Sequence, residues 1–219
     1  MLEKCKTVEL IDNNWAWPAT DVKALKYFSD KINSDAPNEI SKFCRQKRNV
    51  IQAGGHCGLY AFQYSKIFEN VYTFEPEELN HFCLRTNLEG IENIHINNCA
   101  LGNEKSTISL NINRKNCGNH SVNLNNDGTI PLLTIDSFKI ENVDLIHLDL
   151  EGFELYALQG AKKTIKRNKP VIVLETNSFC ENYNYTIEEL EEYLSDIGYK
   201  RLIKWPDDRI YVSVEYDTI

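Results

Sequence analysis

Between Asn49 and Leu174 the chain alternates between two periodicities, and this alternation restricts its fold more than any single motif does. Asn49-Val-Ile-Gln-Ala53 is a short apolar run of strand length, and Leu59 to Phe68 carries helical spacing. Val71 to Phe74 predicts a second strand, the stretch from Pro76 towards Gly90 a second helix, and Ile94 to Asn97 a third strand. Pro76 suits a helix start because its missing N–H has no partner there, and Glu77 and Glu78 complement the dipole. Asp144 to Leu148, Phe153 to Arg167 and Pro170 to Leu174 repeat the pattern as strand, helix and strand. Strands separated by helices of this length are βαβ units, which predict an α/β fold with a mostly parallel sheet.

Three segments fall outside that rhythm. Residues 1–48 form an N-terminal helical or lid segment ahead of a main domain at 49–219. Within it, Asn13 to Pro18 reads as aromatic and irregular. Thr20 to Phe28 reads as a capped helix with apolar positions at 22, 25 and 28, and Asn38 to Arg45 as a second, shorter one. Residues 103–135 are rich in Asn, Ser, Thr and Gly, with strand-like runs at Thr107–Ile112 and Ile130–Ile135, and predict a β-hairpin-like insertion. After a helix from Thr186 to Ile197, opened by a capping box of Thr186 and Glu189, strands at Arg201–Ile203 and Ile210–Val214 flank a turn at Pro206–Asp208.

The 219 residues suffice for one sizeable domain, and a net charge of -8 gives no footprint for a phosphate backbone, so nucleic acid is not an expected partner. The dense basic run, Lys162 to Lys169, falls near a helix end, where cations suit the dipole. No apolar stretch is long enough to span a membrane, and the N-terminus lacks the apolar core of a signal peptide. Seven cysteines, several inside apolar runs and none in a C-x-x-C pair, point to a reducing, cytoplasmic setting.

The chemistry concentrates where the first strand runs into Gly54-Gly-His-Cys-Gly58. Glycines allow the backbone to turn and to approach a ligand, and the helix behind them offers free N–H groups. Gly54, Gly55 and Gly58 do not supply G-x-G-x-x-G, the dinucleotide spacing, whereas Gly54 and Gly58 supply G-x-x-x-G, the spacing of S-adenosylmethionine sites. Glu75 ends the second strand, where a carboxylate can accept hydrogen bonds from both ribose hydroxyls.

The run Asp144-Leu-Ile-His-Leu-Asp-Leu-Glu-Gly-Phe-Glu-Leu-Tyr-Ala-Leu-Gln-Gly160, preceded by Thr134-Ile-Asp-Ser-Phe138 and by Asn98-Cys-Ala-Leu-Gly102, resembles the FkbM family of methyltransferases. The likeness extends from about Asn49 to Asn177. It implies a Rossmann-like class I methyltransferase fold with a seven-stranded sheet covered by helices on both faces, and S-adenosyl-L-methionine as cofactor. Carried over, Gly54, Gly55, Gly58 and Glu75 fall on cofactor positions, and Cys99 and Ala100 fall where adenine is flanked. Gln52 stands where the family usually has Asp, and His56 where it usually has Asn. Gln52 retains hydrogen-bonding capacity but no charge to meet the cofactor's ammonium group.

His147, Asp149 and Glu151 alternate at the end of the fourth strand, which predicts that they share a side. Methyl transfer to an alcohol needs positioning and a base, and crowded carboxylates raise one another's pKa, so these three are the catalytic candidates. Asp149, Glu151 and Glu175 also offer hard oxygen ligands for a divalent cation, although nothing in the sequence requires one. Glu154 reads as either a site residue or a dipole partner. Trp15 and Trp17 precede the core where a lid would sit, with plain core packing the alternative. Cys117-Gly-Asn-His120 either reaches the site or is a solvated loop. Tyr27-Phe-Ser-Asp-Lys31 has the Tyr-x-x-x-Lys spacing of nicotinamide-dependent dehydrogenases, but precedes the first strand instead of following the fourth or fifth. The expected activity is O-methylation of a small molecule or sugar. A degenerate nucleoside-binding domain is the alternative, and an oxidoreductase a more distant one.

Overall fold

The computed structural model describes residues 7–124, 128–176, 178–204 and 208–216. In chain order the strands are β1 (Val8–Ile11), β2 (Trp15–Pro18), β3 (Asn49–Ala53), β4 (Asn70–Phe74), β5 (Ile94–Asn97), β6 (Ala100–Leu101), β7 (Ser106–Asn111), β8 (Ser121–Asn123), β9 (Ile130–Leu133), β10 (Val143–Leu148), β11 (Val171–Glu175), β12 (Tyr199–Lys204) and β13 (Asp208–Ser213). The α-helices are α1 (Ala24–Ile32), α2 (Ala36–Ser41), α3 (Leu59–Ser65), α4 (Glu78–Asn87), α5 (Glu154–Gln159), α6 (Lys162–Asn168) and α7 (Ile187–Asp196).

Seven strands form the central sheet in the order β12-β13-β11-β10-β3-β4-β5. From β11 to β5 every neighbouring pair is parallel, and the closing hairpin adds β13 antiparallel to β11. Alternate strand residues feed two cores, as period-two geometry requires. Ile51, Ile146 and Ile172 pack with Ala157, Ile165 and Leu190 of α5, α6 and α7. Val50, Leu145 and Val171 pack with Phe28, Ile40, Tyr64 and Leu84 of the first four helices. Helices therefore cover both faces. The chain runs outward from β3 to β5 and then returns to build β10 and β11 on the other side. The sheet order reverses between β3 and β10, the position where open α/β sheets bind ligands beyond the carboxyl ends of their strands.

The structure differs from the sequence expectation in identifiable places. Trp15–Pro18 is a strand buried at all four residues and paired antiparallel with Val8–Ile11, because burial on both sides erases alternation. The first helix begins at Ala24, not Thr20, which leaves Val22 and Leu25 exposed while Ala24 and Phe28 face the core. The helix expected over 153–167 is two helices. Asp136 N takes the Gly160 carbonyl, while the Asp136 carboxylate accepts from the backbone N–H groups of Lys163 and Thr164 at 3.0 and 2.8 Å, recapping the chain as α6. The insertion is richer than one hairpin: β7 pairs antiparallel with both β8 and β9, and β6 joins β9 to complete four strands. The capping box at Thr186 forms as read. The turn residues 205–207, the loop centre 125–127, Cys5 and Asn177 lie outside the described residues. Among the described residues no helix is long and apolar enough to cross a membrane.

Candidate active site

One side of the site is made of backbone. Gly54 has φ +83°, and a Cβ there would stand 2.0 Å from the Asp149 carbonyl oxygen. β3 and β10 can approach that closely only at a residue without a side chain. Gly55 N donates to the Phe74 carbonyl at 2.8 Å, which folds the turn over the end of β4. Gly58, at φ +97°, opens α3 in a left-handed conformation. His56 is also left-handed, at φ +48°, and its N–H donates to Glu75 Oε2 at 2.7 Å.

Glu75 is 5% exposed, and its other oxygen accepts from Glu77 N at 2.9 Å. Burial pushes its pKa up to about 8, against the opposing pull of those two backbone donors. The carboxylate is thus fixed at the tip of β4 and lines a cleft of about 850 Å³, a volume that includes open solvent at the mouth. Gly54, Gly55, His56, Glu75, Cys99, Ala100, Asp149 and Glu151 all line this cleft. Cys99 and Ala100 are buried on its wall beyond Glu75, together with Leu101.

Gln52 is not among the lining residues. Its side chain turns into the sheet, where Oε1 accepts from Thr73 Oγ1 at 2.7 Å and Nε2 donates to the Gly54 carbonyl at 2.9 Å. Any effect of Gln52 on the cleft passes through the Gly54 peptide, because period-two geometry points position 52 away from the crevice.

The opposite wall gathers the carboxylates. β10 ends at Leu148, and Glu151 sits at φ +52° in the turn that follows. Strand alternation therefore does not align His147, Asp149 and Glu151. The turn brings Glu151 back beside Asp149, and Glu175 reaches both from the end of β11. One oxygen from each lies within 4.8 Å of the others. Asp149 and Glu175 are hydrogen-bonded, and burial raises the pKa of each, with repulsion from the Asp149 charge adding to the rise at Glu175. Burial, then repulsion from Asp149, pushes Glu151 up to about 8. His147 stands at one remove: it is 2% exposed, its Nδ1 is 2.8 Å from the Tyr64 hydroxyl, and burial lowers its pKa to about 4. It is a neutral imidazole packed edge-on against Tyr60, at 5.0 Å between centroids.

Glu154 lies outside the cleft. Its Oε1 accepts from Leu150 N at 2.7 Å, and Tyr185, which donates to the Gly152 carbonyl at 2.6 Å, closes the same turn. Glu154 therefore holds the 149–152 turn in shape.

Sequence reasoning did not identify Tyr27 and Tyr60 as cleft residues. Tyr27 reaches the cleft from α1, and burial with the Asp149 charge pushes its phenol well above the ordinary value. Tyr60 follows the glycine turn by two residues, on the exposed side of the first turn of α3. Its place after that turn was the available signal. Trp15 and Trp17 do not line the cleft. They are buried behind the glycine turn, with Trp15 Nε1 donating to the Cys57 carbonyl at 3.1 Å and Trp17 edge-on to His56 at 4.8 Å. Cys117, Gly118 and His120 do line it, so the insertion loop folds over the site.

Residues 52–201 match the FkbM methyltransferase domain, and the chain belongs to that family. Its fold is that of class I methyltransferases. It superposes on the FkbM methyltransferase of Methylobacillus flagellatus KT with TM-score 0.52 and 18% identity, covering 80% of this chain and 50% of that one. The chain therefore spans half the length of that relative. A SAM-dependent methyltransferase of Aquifex aeolicus gives TM-score 0.50 at 16% identity, with 84% and 92% covered. SMU.1697c of Streptococcus mutans, in complex with SAH, gives 0.54 at 13%, with 81% and 95% covered. No curated protein matches the chain.

Proposed function

We propose that this chain transfers the methyl group of S-adenosylmethionine to a hydroxyl of a small molecule or sugar. One observation carries the reading: two cavities meet at the carboxylates. The cleft that holds the glycine turn and Glu75 shares Tyr27, Tyr60, Gly118, Asp149 and Glu151 with a second hollow, of about 1460 Å³ including open solvent. That hollow is bordered by Lys23, Lys26 and Lys31 on one side and by Glu175 and Asp208 on the other.

In this reading Gly54, Gly55 and the backbone at His56 seat the methionine end of the cofactor, Gly58, which does not line the cleft, shapes the turn by opening α3, and Glu75 accepts from the ribose hydroxyls. Cys99 and Ala100 flank the adenine. The acceptor enters from the second hollow, in line with the sulfonium. As the S–CH3 bond breaks and the O–CH3 bond forms, sulfur keeps the electron pair and the hydroxyl proton passes to Asp149. In this reading Glu175 carries a proton and donates it in a hydrogen bond to Asp149, which leaves the other Asp149 oxygen free to accept. Glu151 tunes this wall, and His147 positions Tyr60. A small acceptor accords with a net charge of -8 and a hollow carrying five carboxylates. Among the described residues six cysteines are free and buried, which accords with a reducing compartment.

Incubation with S-adenosylmethionine carrying a labelled methyl group and a panel of small hydroxylated acceptors, sugars included, tests the proposal. The expected product is a labelled methyl ether, formed with S-adenosylhomocysteine and lost in Asp149→Asn. Label carried to nitrogen or to RNA would contradict it.

A further inference from the structure

Where the glycine turn meets the insertion loop on the wall of the cleft, three segments distant in sequence bring soft donors together. His56 and Cys57 come from the turn, and Cys117 comes from the insertion loop. One ligand atom from each lies within 4.8 Å of the others. His56 Nε2 is 2.9 Å from Cys117 Sγ, and Cys117 Sγ is 3.0 Å from Asp21 Oδ2. The Cys83 thiol of α4 is hydrogen-bonded to Cys57. Cys57 and Cys83 have no exposed surface, Cys117 is 3% exposed and Asp21 7%.

We propose that this cluster binds one zinc-class divalent cation through His56 Nε2, Cys57 Sγ and Cys117 Sγ, with the fourth position filled by Cys83 or Asp21. Imidazole and thiolate are the donor set of a structural tetrahedral site, and here the cysteines are buried while His56 is half-buried at the cleft wall. Two sulfurs about 2.3 Å from a tetrahedral zinc stand about 3.8 Å apart. A tetrahedral zinc holds a His nitrogen and a Cys sulfur about 3.6 Å apart, so the His56 ring and the Cys117 thiol need to part by about 0.7 Å to admit the cation. The surrounding shell is already organised. Trp17 Nε1 holds Asp21 Oδ2 at 2.8 Å, Asn80 Nδ2 holds the Cys117 carbonyl at 2.8 Å, and Asn87 Nδ2 holds the Cys57 carbonyl at 2.8 Å. Such outer contacts orient metal ligands.

The left-handed backbone of His56 also fits this role. That conformation is uncommon for a residue with a side chain, and here it aims the ring at Cys117 while the N–H serves Glu75. A cation here ties the glycine turn and the insertion loop to one point on the wall of the cofactor cleft, and with Asp21 as fourth donor it ties the segment before α1 as well. Its binding displaces the thiol protons of the cysteines that ligate it, two or three according to the fourth donor. The inference does not rest on methyl transfer.

Protein produced with zinc in the medium and desalted should carry about one zinc per chain by elemental analysis. Cobalt(II) titrated into metal-stripped wild type should give the intense visible d–d bands of a tetrahedral ion and a near-ultraviolet thiolate charge-transfer band. The intensity of the latter separates two thiolates from three. Cys117→Ser should weaken metal affinity at least about a hundredfold, more than a typical outer-contact change. Cys180→Ser, which alters a buried thiol outside the cluster, should retain the metal. Zinc well below one per chain together with an octahedral, pale cobalt spectrum in wild type would overturn the proposal whatever the variants do. So would equal metal loss in Cys180→Ser and Cys117→Ser.

Discussion

The two walls of the cleft are built by different means. On the cofactor side, position is set by backbone: two left-handed glycines, the Gly55-to-Phe74 hydrogen bond, and a carboxylate pinned by two N–H groups at the end of a strand. On the proposed acceptor side, position is set by side chains from α1, the insertion loop and the ends of β10 and β11, several of them titratable and shifted by burial. Backbone geometry admits few substitutions and tolerates little change in what it binds. A side-chain wall can be rebuilt residue by residue. One scaffold can thus hold a single cofactor while its acceptor varies, which is where functional diversity on common folds arises.

The largest predicted effect sharpens that division. Asp149→Asn should lower the turnover of methyl transfer by about 10²–10⁴-fold. Calorimetric affinity for S-adenosylhomocysteine should change by less than about threefold, about 0.6 kcal/mol. A matched loss of both would place Asp149 on the cofactor wall.

Two glycine variants probe the other wall. Gly54→Ala forces a Cβ to within 2.0 Å of the Asp149 carbonyl, a backbone atom that cannot swing aside, and should destabilise the protein by about 3 kcal/mol in urea unfolding. Gly58→Ala has a similar φ but meets the Leu88 side chain at 3.1 Å, and should cost only about 1–2 kcal/mol. Equal values would mean that φ alone, and not the close approach of β3 and β10, sets the cost.

The pH dependence of kcat/KM should show a limb rising with pH near 8, because Glu151 is held protonated up to about 8 by burial and by Asp149. Replacing Glu154 by Gln removes a carboxylate charge that repels Glu151 near pH 8, so the limb should move to lower pH. A limb that stays in place would assign the titration elsewhere.

The smallest effect concerns Glu154, which supports the acceptor wall without lining it. Burial raises its folded pKa to about 7 from an ordinary 4.5. Below the unfolded value both states are protonated and there is no penalty. Through the window between these values, rising pH ionises the unfolded state first, and stability is lost until the folded carboxyl ionises too. Glu154→Gln keeps an acceptor for Leu150 N and should equal wild type in thermal unfolding at pH 4. At pH 8 it should exceed wild type by about 1–2 kcal/mol. A variant less stable at pH 8 would show that the ionised carboxylate is the better turn holder.

The same division explains what could be read from the sequence. The strands, the glycine turn, Glu75 and the run ending in Asp149 were legible because backbone requirements leave fixed spacings, and the seven-stranded sheet follows from them. Trp15–Pro18 hid its strand because it is buried on both sides. The helix break at Gly160 depends on Asp136, more than twenty residues away. The start of α1 shifted because Val22 and Leu25 mimic a buried face while lying in water. The acceptor wall was least legible of all. Tyr27, Tyr60 and Gly118 meet only after folding, and His56 lies beside a cysteine 61 positions away. Gln52 occupied a motif position yet serves the sheet interior, since motif spacing does not reveal which way a side chain turns.

The central claim, that the glycine turn and Glu75 form a cofactor site, is tested most directly by calorimetric titration of S-adenosylmethionine and S-adenosylhomocysteine into wild type and Glu75→Gln. The account predicts micromolar binding to wild type that weakens at least about tenfold in the variant, about 1.4 kcal/mol, with the variant's fold verified by circular dichroism. No binding to wild type, or equal affinity in a folded variant, would contradict it.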